Sequence, residues 1–319
     1  MAGLKRYIAL RAIQSFLVII GVITFLFVLI HTAPGNPIVY MLGPMYSASV
    51  AKALEVQLGL NKPLYVQYFL YIKAIFSGNL GYSDVYNEPV LTIISQRVVP
   101  TLFLTIPSLT ISLILGTYLG VIAAKHALTK SDYSLTVAAT VGFAIPGFWS
   151  GSILILLFAV RLGWFPAMGI TAPGAGYGFF DVASHLILPT IVLSGYSTAT
   201  YFLLTRASMM EALTKDFTIS ARARGLSSNA IYFKHAFRNA LLPIMTISGY
   251  FLGLVITGVV LTETIFFYPG LGLLIYTSIE QLDYPVVLGV FLLVSISVVI
   301  ANLCTDIAYT IVDPRISKT

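Results

Sequence analysis

Five long uncharged stretches limit what this chain can fold into. They contain no Asp, Glu, Lys or Arg, each exceeds 20 residues, and they are Val98–Ala124, Tyr133–Val160, Val182–Thr205, Asn239–Thr262 and Tyr284–Thr305. A helix of roughly 20 apolar residues crosses the hydrocarbon core of a bilayer. Hydrophobic residues make up 58% of the chain and charged residues only 9%, so a water-soluble fold is excluded because it could not bury that much apolar surface.

The N-terminus adds one further apolar stretch, Ala12–Ile30, which follows Lys5, Arg6 and Arg11. Basic residues before an apolar run also occur in signal peptides, but this run is too long and lacks a small-residue cleavage site. We therefore expect it to remain as an uncleaved first span. The sequence thus predicts an all-α integral membrane protein with about six transmembrane helices.

The distribution of Lys and Arg predicts the orientation, because positively charged flanks stay in the cytoplasm. With the N-terminus inside, 13 of the 18 basic residues fall in inner segments and five in outer ones. An even number of spans then places both termini in the cytoplasm. The net charge of +6 follows from this topology and does not indicate nucleic-acid binding.

The chain carries few groups suited to catalysis or metal binding. Its four histidines fall in separate segments, and Cys304, the only cysteine, lies inside the last span, where we expect it to pack as a small apolar residue. The sequence contains no Gly-x-x-x-x-Gly-Lys-[Ser/Thr] loop for nucleotide phosphates. We therefore expect no enzyme activity, metal or cofactor in this chain itself.

The middle spans also lack the ionisable groups with which ion-coupled carriers bind protons or other ions. Asp306, near the cytoplasmic end of the last span, is interpreted as a helix-end acid facing water or a neighbouring Lys rather than as a proton site. Energy for uphill transport would then come from another subunit. A stand-alone ion-coupled carrier and a membrane anchor without a transport pathway remain alternatives.

The outer segment Thr32–Val99 has an amphipathic composition that predicts two short helices. The first would begin after Ser47 or Ser49 and end at Gly59, and the second would begin at Pro63 and end at Gly78. The second helix carries an apolar stripe of Tyr65, Phe69, Ile72 and Phe76.

Three spans contain glycines four residues apart, a spacing that allows close approach of helix backbones in lipid. The pairs are Gly116 with Gly120, Gly147 with Gly151, and Gly249 with Gly253. Packing within one helical bundle is favoured over a dimer interface or a pore lining for each pair.

The segment between the fourth and fifth predicted spans is the most highly charged part of the chain and predicts a cytoplasmic helical hairpin. Glu211 and Lys215 are four residues apart, which favours a helix over Ser208–Arg224. Gly225 provides a left-handed stop, and Ser227 or Ser228 caps a second helix. Tyr232, Phe233, Ala236 and Phe237 would form its buried face before Pro243 starts the next span. Two interpretations of this hairpin are about equally favoured, a site that docks another protein and a solvated loop.

At this hairpin the sequence resembles the inner-membrane permeases of ABC importers, with their Glu-Ala-Ala signature, and in particular the dipeptide and oligopeptide permease B subfamily. The resemblance extends over nearly the whole chain. The stretches that carry it include Glu211-Ala212-Leu213, Asp216-Phe217, Ala221–Leu226, His235–Pro243, His31–Pro37, Leu58–Leu60, Gly78–Ser83, Leu162–Pro166, Thr262–Phe266, Pro269–Gly272, Asp283–Val287 and Asp313–Arg315. Leu213 departs from the generic signature, which has a second Ala there, and Gly225 lies farther downstream than usual.

The resemblance implies a type I ABC importer permease fold with a coupling helix. Residues 1–97 would hold the first span and the outer segment, residues 98–312 the five-helix core with the coupling hairpin at 208–242, and residues 313–319 a cytoplasmic tail. The implied ATPase-coupling residues are Glu211, Ala212, Asp216, Ala221, Arg222 and Gly225. Glu211 would cap or salt-bridge the hairpin, and the two alanines would keep it slim. Gly225 would provide a sharp turn that a side chain would penalise by about 1 kcal/mol.

The implied assembly is a heterodimer with a second, homologous permease, two cytoplasmic ABC ATPase subunits and an extracellular or periplasmic solute-binding protein. ATP and Mg²⁺ would be used by the ATPase subunits. The location would be the cytoplasmic membrane of a prokaryote. Dipeptides, oligopeptides, nickel chelates and oligosaccharides all remain possible cargoes, with peptides as the commoner assignment.

Overall fold

A computed structural model describes residues 2–32, 61–174, 176–253 and 259–312. The described chain is helical apart from one short β-hairpin, which agrees with the predicted all-α membrane protein. In chain order its elements are α1 (Ala2–Thr32), α2 (Leu64–Phe76), β1 (Tyr82–Ser83), β2 (Glu88–Pro89), α3 (Val90–Lys125), α4 (Lys130–Ala144), α5 (Gly147–Leu154), α6 (Phe179–Thr214), α7 (Asp216–Ala223), α8 (Ser228–Ala230), α9 (Phe237–Gly253), α10 (Val260–Ile265), α11 (Leu271–Glu280) and α12 (Tyr284–Val312). Two π-helical stretches, Ile155–Arg161 and Ile231–Ala236, extend α5 and α8.

Four helices in the described ranges, α1, α3, α6 and α12, are long and apolar enough to cross a membrane. A fifth span is formed if α4 and α5 with its π-helical extension are taken together. The predicted span Asn239–Thr262 falls on α9 and α10, and residues 254–258 between them lie outside the described residues. The number of about six spans and the cytoplasmic location of both termini therefore stay predictions.

The third predicted span, over Tyr133–Val160, is not a single straight helix. α4 and α5 meet at an angle of 98°, and Ile145 between them has an extended backbone (φ −74°, ψ 122°). Pro146 explains the break because proline disfavours the helical conformation in the residue before it and has no N–H to continue the helix. The uncharged stretch is thus divided into two helices near its centre.

Close packing between α3 and α6 forms the centre of the bundle. A Cβ atom added at Gly116 would lie 2.5 Å from the carbonyl oxygen of Thr198, and one at Gly120 would lie 2.7 Å from the Cβ of Thr205. At Gly249 in α9 an added Cβ would overlap the side chain of Thr305 in α12. The expected use of these glycines for packing within one bundle is confirmed at the three positions.

α1 packs against α12 through apolar residues and one ion pair. Ile23 and Leu26 of α1 form a buried cluster with Leu288 and Leu292 of α12. Arg11 and Asp306 form an ion pair, with 3.1 Å between Nη1 and Oδ2. The interpretation of Asp306 as a helix-end acid with a basic partner is therefore confirmed, although the partner is an arginine.

Cys304, two residues before Asp306, is exposed on α12. The expectation that it packs as a small apolar residue is therefore wrong for this chain. The last helix is apolar on all sides, so the sequence pattern did not indicate which of its faces the rest of the chain covers.

The outer helix predicted after Pro63 is confirmed as α2, which ends before Gly78, a glycine with φ of +79°. Its predicted apolar stripe is largely exposed, because Tyr65, Phe69 and Phe76 point away from the rest of the chain. Ile72 packs instead with a neighbouring pair, Tyr71 and Ile75, against α1 and α12. The first predicted outer helix and the stretches Leu58–Leu60 and Asp313–Arg315 lie outside the described residues.

Candidate ATPase-coupling site

The predicted hairpin contains a break that the sequence did not indicate. α6 ends at Thr214, Lys215 has an extended backbone (φ −78°, ψ 150°), and α7 begins at Asp216. The carbonyl oxygen of Ala212 accepts a hydrogen bond of 2.8 Å from the Thr218 hydroxyl. That contact satisfies a carbonyl at the end of α6, where no intrahelical partner is available. The prediction of one helix over Ser208–Arg224 is thus wrong.

The turn after α7 agrees with the prediction. Gly225 has φ of +77°, its N–H donates to the carbonyl of Arg222 at 3.0 Å, and the N–H of Leu226 donates to that of Ala221 at 3.3 Å. This pattern ends a helix with a left-handed residue, which favours glycine. Ser227, the first of the two proposed caps, accepts from the N–H of Ala230 at 3.4 Å. The stop at Gly225 and the cap at Ser227 are confirmed.

One surface of the hairpin packs against the C-terminal end of α3. Ala212 lies in a buried cluster with Val121 and Ala124 of α3 and with Met209, Ala236 and Ala240. Ala221 of α7 is also fully buried. The methyl groups of both predicted alanines thus point into the hairpin and away from its outer surface.

The second arm of the hairpin differs from the prediction in two respects. Tyr232, Ala236 and Phe237 lie on its packed face as predicted, but Phe233 is 43% exposed. Pro243 does not start the next helix, because α9 begins at Phe237 and continues through Pro243. Neighbouring helices in a membrane bundle allow a proline inside a helix.

The outer surface of the hairpin carries the charged candidates. Glu211 and Lys215 form an ion pair of 2.9 Å, but their side chains are 70% and 52% exposed, so the pair contributes little stability. Asp216, Arg222 and Gly225 are exposed on α7 and the following turn. The four exposed candidates, Glu211, Asp216, Arg222 and Gly225, therefore lie on one short segment.

Ile219, which no sequence motif singled out, is 58% exposed on α7 between Asp216 and Arg222. Spacings of three residues place these three side chains near one another on a helix. The signal was present in the sequence as an isolated large apolar residue among polar ones, but the helix register was needed to place it outside. α7 thus presents an apolar side chain between an acid and a base.

A second missed feature is the buried ion pair between α4 and α6. Arg206 donates from Nε to Oδ1 of Asp132 at 2.6 Å and from Nη2 to Oδ2 at 2.8 Å. Oδ2 also accepts from the N–H of Leu128 at 3.0 Å. A further contact joins Lys125 to Asn229 in α8 at 3.0 Å. The hairpin is therefore attached to the α3–α4 connection at two places.

On the opposite side of the bundle, Glu263 organises the connection between α10 and α11. The carboxylate of Glu263 is fully buried and accepts from the Thr101 hydroxyl at 2.8 Å and from the N–H groups of Gly272 and Leu273 at 2.6 and 3.2 Å. A Cβ atom added at Gly270 would overlap this carboxylate. The stretches Thr262–Phe266 and Pro269–Gly272 are thus two parts of one hydrogen-bonded unit.

The hairpin of β1 and β2 joins the same end of the molecule. Ser83 donates a hydrogen bond of 2.5 Å to Oδ2 of Asp283, which lies just before α12. Burial and the nearby carboxylate of Asp283 raise the pKa of Asp84 above its usual value. The sequence stretches Gly78–Ser83 and Asp283–Val287 are therefore also in contact.

The comparison with protein families decides the class of this chain. Residues 116–318 match the binding-protein-dependent transport system inner membrane component, and residues 4–110 match the N-terminal part of such membrane components. The chain belongs to this family of transport-system permeases. The permease is thus an integral membrane transport subunit, as its topology indicated.

Relatives resemble the permease over nearly their whole length. It is 39% identical over 311 residues to the oligopeptide transport system permease protein AppB of Bacillus subtilis, covering 97% of this chain and 98% of that protein. It is 37% identical over 317 residues to a putative peptide permease of Brucella ovis, covering 98% and 99%. It is 38% identical over 301 residues to the glutathione transport system permease GsiC of Escherichia coli K12, covering 94% of each.

The described part of the permease offers packing contacts inside the bundle and one exposed helix surface on α7. Among the residues that the structure describes, no group of three His, Cys, Asp or Glu residues could hold a metal ion. The projecting surface of α7 combines exposed charges with one apolar side chain, a combination suited to contact with another protein.

Proposed function

We propose that the permease is one of two homologous membrane subunits of an ATP-driven importer for peptides. The observation that carries this proposal is the similarity over 94–98% of the chain to relatives named as peptide or glutathione permeases. The other subunits would be a second permease, two cytoplasmic ABC ATPases and an extracellular solute-binding protein. The membrane would be the cytoplasmic membrane of a bacterium, as the organisms of the relatives suggest.

In this proposal α7 is the coupling helix and binds in a cleft of an ATPase subunit. Asp216, Arg222 and the Glu211–Lys215 pair would contact polar groups of the ATPase, and Ile219 would fill an apolar depression. Ala212 and Ala221 would act from inside, because their small side chains let the arms of the hairpin pack closely. Gly225 would set the direction of the chain after α7.

The attachment of the hairpin supports transmission of movement from the ATPase to the spans. α6 is a continuous helix from Phe179 to Thr214, so a displacement of α7 acts directly on a membrane-spanning helix. The buried pair of Arg206 and Asp132 would carry the same displacement to α4. ATP and Mg²⁺ would be bound by the ATPase subunits.

Peptides are the preferred cargo because of the names of the relatives, and the uncharged spans are compatible with them. A pathway without fixed charges would not discriminate strongly among peptide side chains. In such an importer the solute-binding protein would select among dipeptides, oligopeptides, nickel chelates and oligosaccharides.

The first test is affinity purification of the tagged permease in mild detergent with identification of the proteins that co-purify. We expect a second permease and an ATPase with the wild-type chain, and weaker recovery of the ATPase with Gly225→Trp. The matched control is Gly174→Trp, because Gly174 is also left-handed (φ +81°) with open space around it, but lies in the loop before α6. That variant should retain the ATPase.

The same purified material separates the proposal from its main alternative. Complexes reconstituted into vesicles should take up peptide only when ATP is present on the side of the membrane where the ATPase subunits lie. A permease that purifies alone, transports by itself and loses transport when an ionophore is added would instead be an ion-coupled carrier.

A further inference from the structure

Three of the uncharged stretches carry an exposed aromatic residue near their middle. Phe143, Tyr196 and Tyr250 lie in the uncharged stretches Tyr133–Val160, Val182–Thr205 and Asn239–Thr262, each within about one helical turn of the middle of its stretch. Their side chains are 45%, 48% and 55% exposed.

These rings form a continuous patch on one surface of the bundle. Phe143 stacks on Tyr196 with 4.9 Å between ring centroids. The largely buried Phe251 lies beneath, 6.4 Å from Tyr196 and 5.8 Å from Tyr250. The patch thus joins α4, α6 and α9.

The phenol hydroxyls of this patch indicate that lipid does not cover it. Tyr201, one turn beyond Tyr196, donates its hydroxyl hydrogen bond to Ser248 at 2.9 Å. Within the described part of the chain, the hydroxyls of Tyr196 and Tyr250 have no such partner. An unpaired hydroxyl facing hydrocarbon is costly, so water, a cargo or another protein must provide the hydrogen bonds.

The break in the third span is a second, independent observation at the same place. The N–H groups of Trp149 and Ser150 donate to the carbonyl of Pro146, but the carbonyls that follow Val141 in α4 have no intrahelical partners. Phe143, Ala144 and Pro146 around the break are exposed. Non-helical backbone at membrane depth occurs where it is covered by protein or lines a water-filled cavity.

Open space surrounds two glycines beside the rings. A Cβ atom added at Gly142 or Gly195 would have no neighbouring atom within 4 Å, in contrast to Gly116 and Gly120 between α3 and α6. These two glycines are therefore not required for packing within the chain. They leave room next to Phe143 and Tyr196.

We propose that Phe143, Tyr196 and Tyr250 form the wall of the peptide pathway at the centre of the membrane. The rings would contact peptide side chains of varied structure, and the two hydroxyls would hydrogen-bond to the peptide backbone, which every peptide offers. The inference rests on the proposed function for the identity of the cargo. The exposure of the patch to water does not depend on the proposed function.

Thiol labelling of the full importer in liposomes tests exposure to water. In a Cys304→Ala background, Tyr196→Cys and Tyr250→Cys should react with a charged, water-soluble thiosulfonate at least about tenfold faster than Leu17→Cys on the apolar surface of α1. Leu128→Cys, in an inner turn, is the positive control. The inference would be overturned if Tyr196→Cys and Tyr250→Cys reacted no faster than Leu17→Cys in the assembled importer. Fast labelling that appears only after removal of the second permease would show that this permease, and not water, covers the patch.

Uptake of labelled trialanine by the same importer tests contact with cargo. Tyr196→Phe and Tyr250→Phe should each lower uptake about fivefold, the effect of one lost hydrogen bond, and Gly195→Leu should abolish it. Gly21→Leu is the control, because an added Cβ at Gly21 in α1 also meets no atom within 4 Å.

The two proposals fail in different ways. If the wild-type importer takes up trialanine and the variants match it, the aromatic patch is not the pathway wall, whereas the proposed function stands. If the wild-type importer takes up neither trialanine nor a mixture of longer peptides, peptide is refuted as the cargo of both proposals.

Discussion

Arg206 and Asp132, 74 residues apart, form a bidentate ion pair that joins the C-terminal part of α6 to the start of α4. Only 4% of the Asp132 side chain is exposed, and its carboxylate also accepts from the backbone at the start of its own helix. The geometry is the planar fork that distinguishes arginine from lysine in binding carboxylates. The charged part of α6 is thereby fixed to a second span close to the proposed coupling helix.

Arg206→Ala should lower the free energy of unfolding by about 3 kcal/mol, because it leaves a buried carboxylate without its cation. Asp132→Ala together with Arg206→Ala should recover part of that loss. The measurement is thermal unfolding of the purified permease in detergent. Lys215→Ala, which removes an exposed partner of Glu211, is the control and should cost less than about 1 kcal/mol. If Arg206→Ala and Lys215→Ala lowered the free energy of unfolding equally, the Arg206–Asp132 pair would not contribute more than an exposed pair.

Ile219→Asp should weaken binding of the ATPase with little effect on the stability of the permease, because Ile219 is 58% exposed. Loss of an apolar contact at the centre of an interface costs about 2 kcal/mol, or roughly thirtyfold in affinity. Co-purification at decreasing ATPase concentration measures the change. Leu128→Asp, at another exposed apolar position between α3 and α4, should leave binding intact. Equal binding by wild type and Ile219→Asp would exclude Ile219 from the interface.

Substitutions at Gly225 should separate stability from coupling. Gly225→Ala and Gly225→Trp should destabilise the hairpin by a similar amount, about 1 kcal/mol, because the left-handed backbone penalises any Cβ and no atom lies within 4 Å to resist a larger side chain. Only the Trp variant should uncouple ATP hydrolysis from transport. ATPase activity with and without cargo, measured beside thermal unfolding, distinguishes these effects. If Gly225→Ala uncouples ATP hydrolysis as strongly as Gly225→Trp, coupling depends on the conformation of the turn and not on free space at its surface.

Gly120→Ala should destabilise the bundle by about 1–3 kcal/mol, because the new methyl group would overlap Thr205 and the carbonyl of Phe202 between α3 and α6. Gly142→Ala is the matched control and should be neutral or slightly stabilising, since alanine favours a helix and meets open space there. Thermal unfolding in one detergent compares the two. A neutral Gly120→Ala would show that α3 and α6 can separate without cost.

Glu263→Ala should destabilise the connection between α10 and α11 by about 2–4 kcal/mol, because it leaves the Thr101 hydroxyl and two backbone N–H groups without their buried acceptor. Glu263→Gln retains one acceptor oxygen and should cost less. Protease cleavage in this connection, followed in right-side-out vesicles, reports the loss of local structure. Equal cleavage of the Ala variant and the wild type would show that the hydrogen bonds are not needed there.

The sequence was sufficient to predict helix starts and stops that are formed by neighbouring residues. Pro63 before α2, the left-handed Gly225 and the Ser227 cap each depend on contacts within a few residues, and all three were predicted correctly. The break at Lys215 was missed because the competing hydrogen bond of Thr218 appears only once α7 has turned back on α6.

The sequence by itself determined that this is a membrane protein of long apolar helices, because an uncharged stretch of about 20 residues forms a helix as long as the bilayer core is thick. It also predicted that α3 could approach a neighbouring helix closely, since glycine is the residue that permits this, but only the structure showed that this neighbour is α6. Tertiary structure alone decided which surfaces are covered. Apolar residues are favourable against both lipid and protein in a membrane, so composition cannot distinguish the two environments. The pairing of Arg206 with Asp132, the exposure of Ile219 and the joining of Phe143, Tyr196 and Tyr250 all depend on contacts between distant segments.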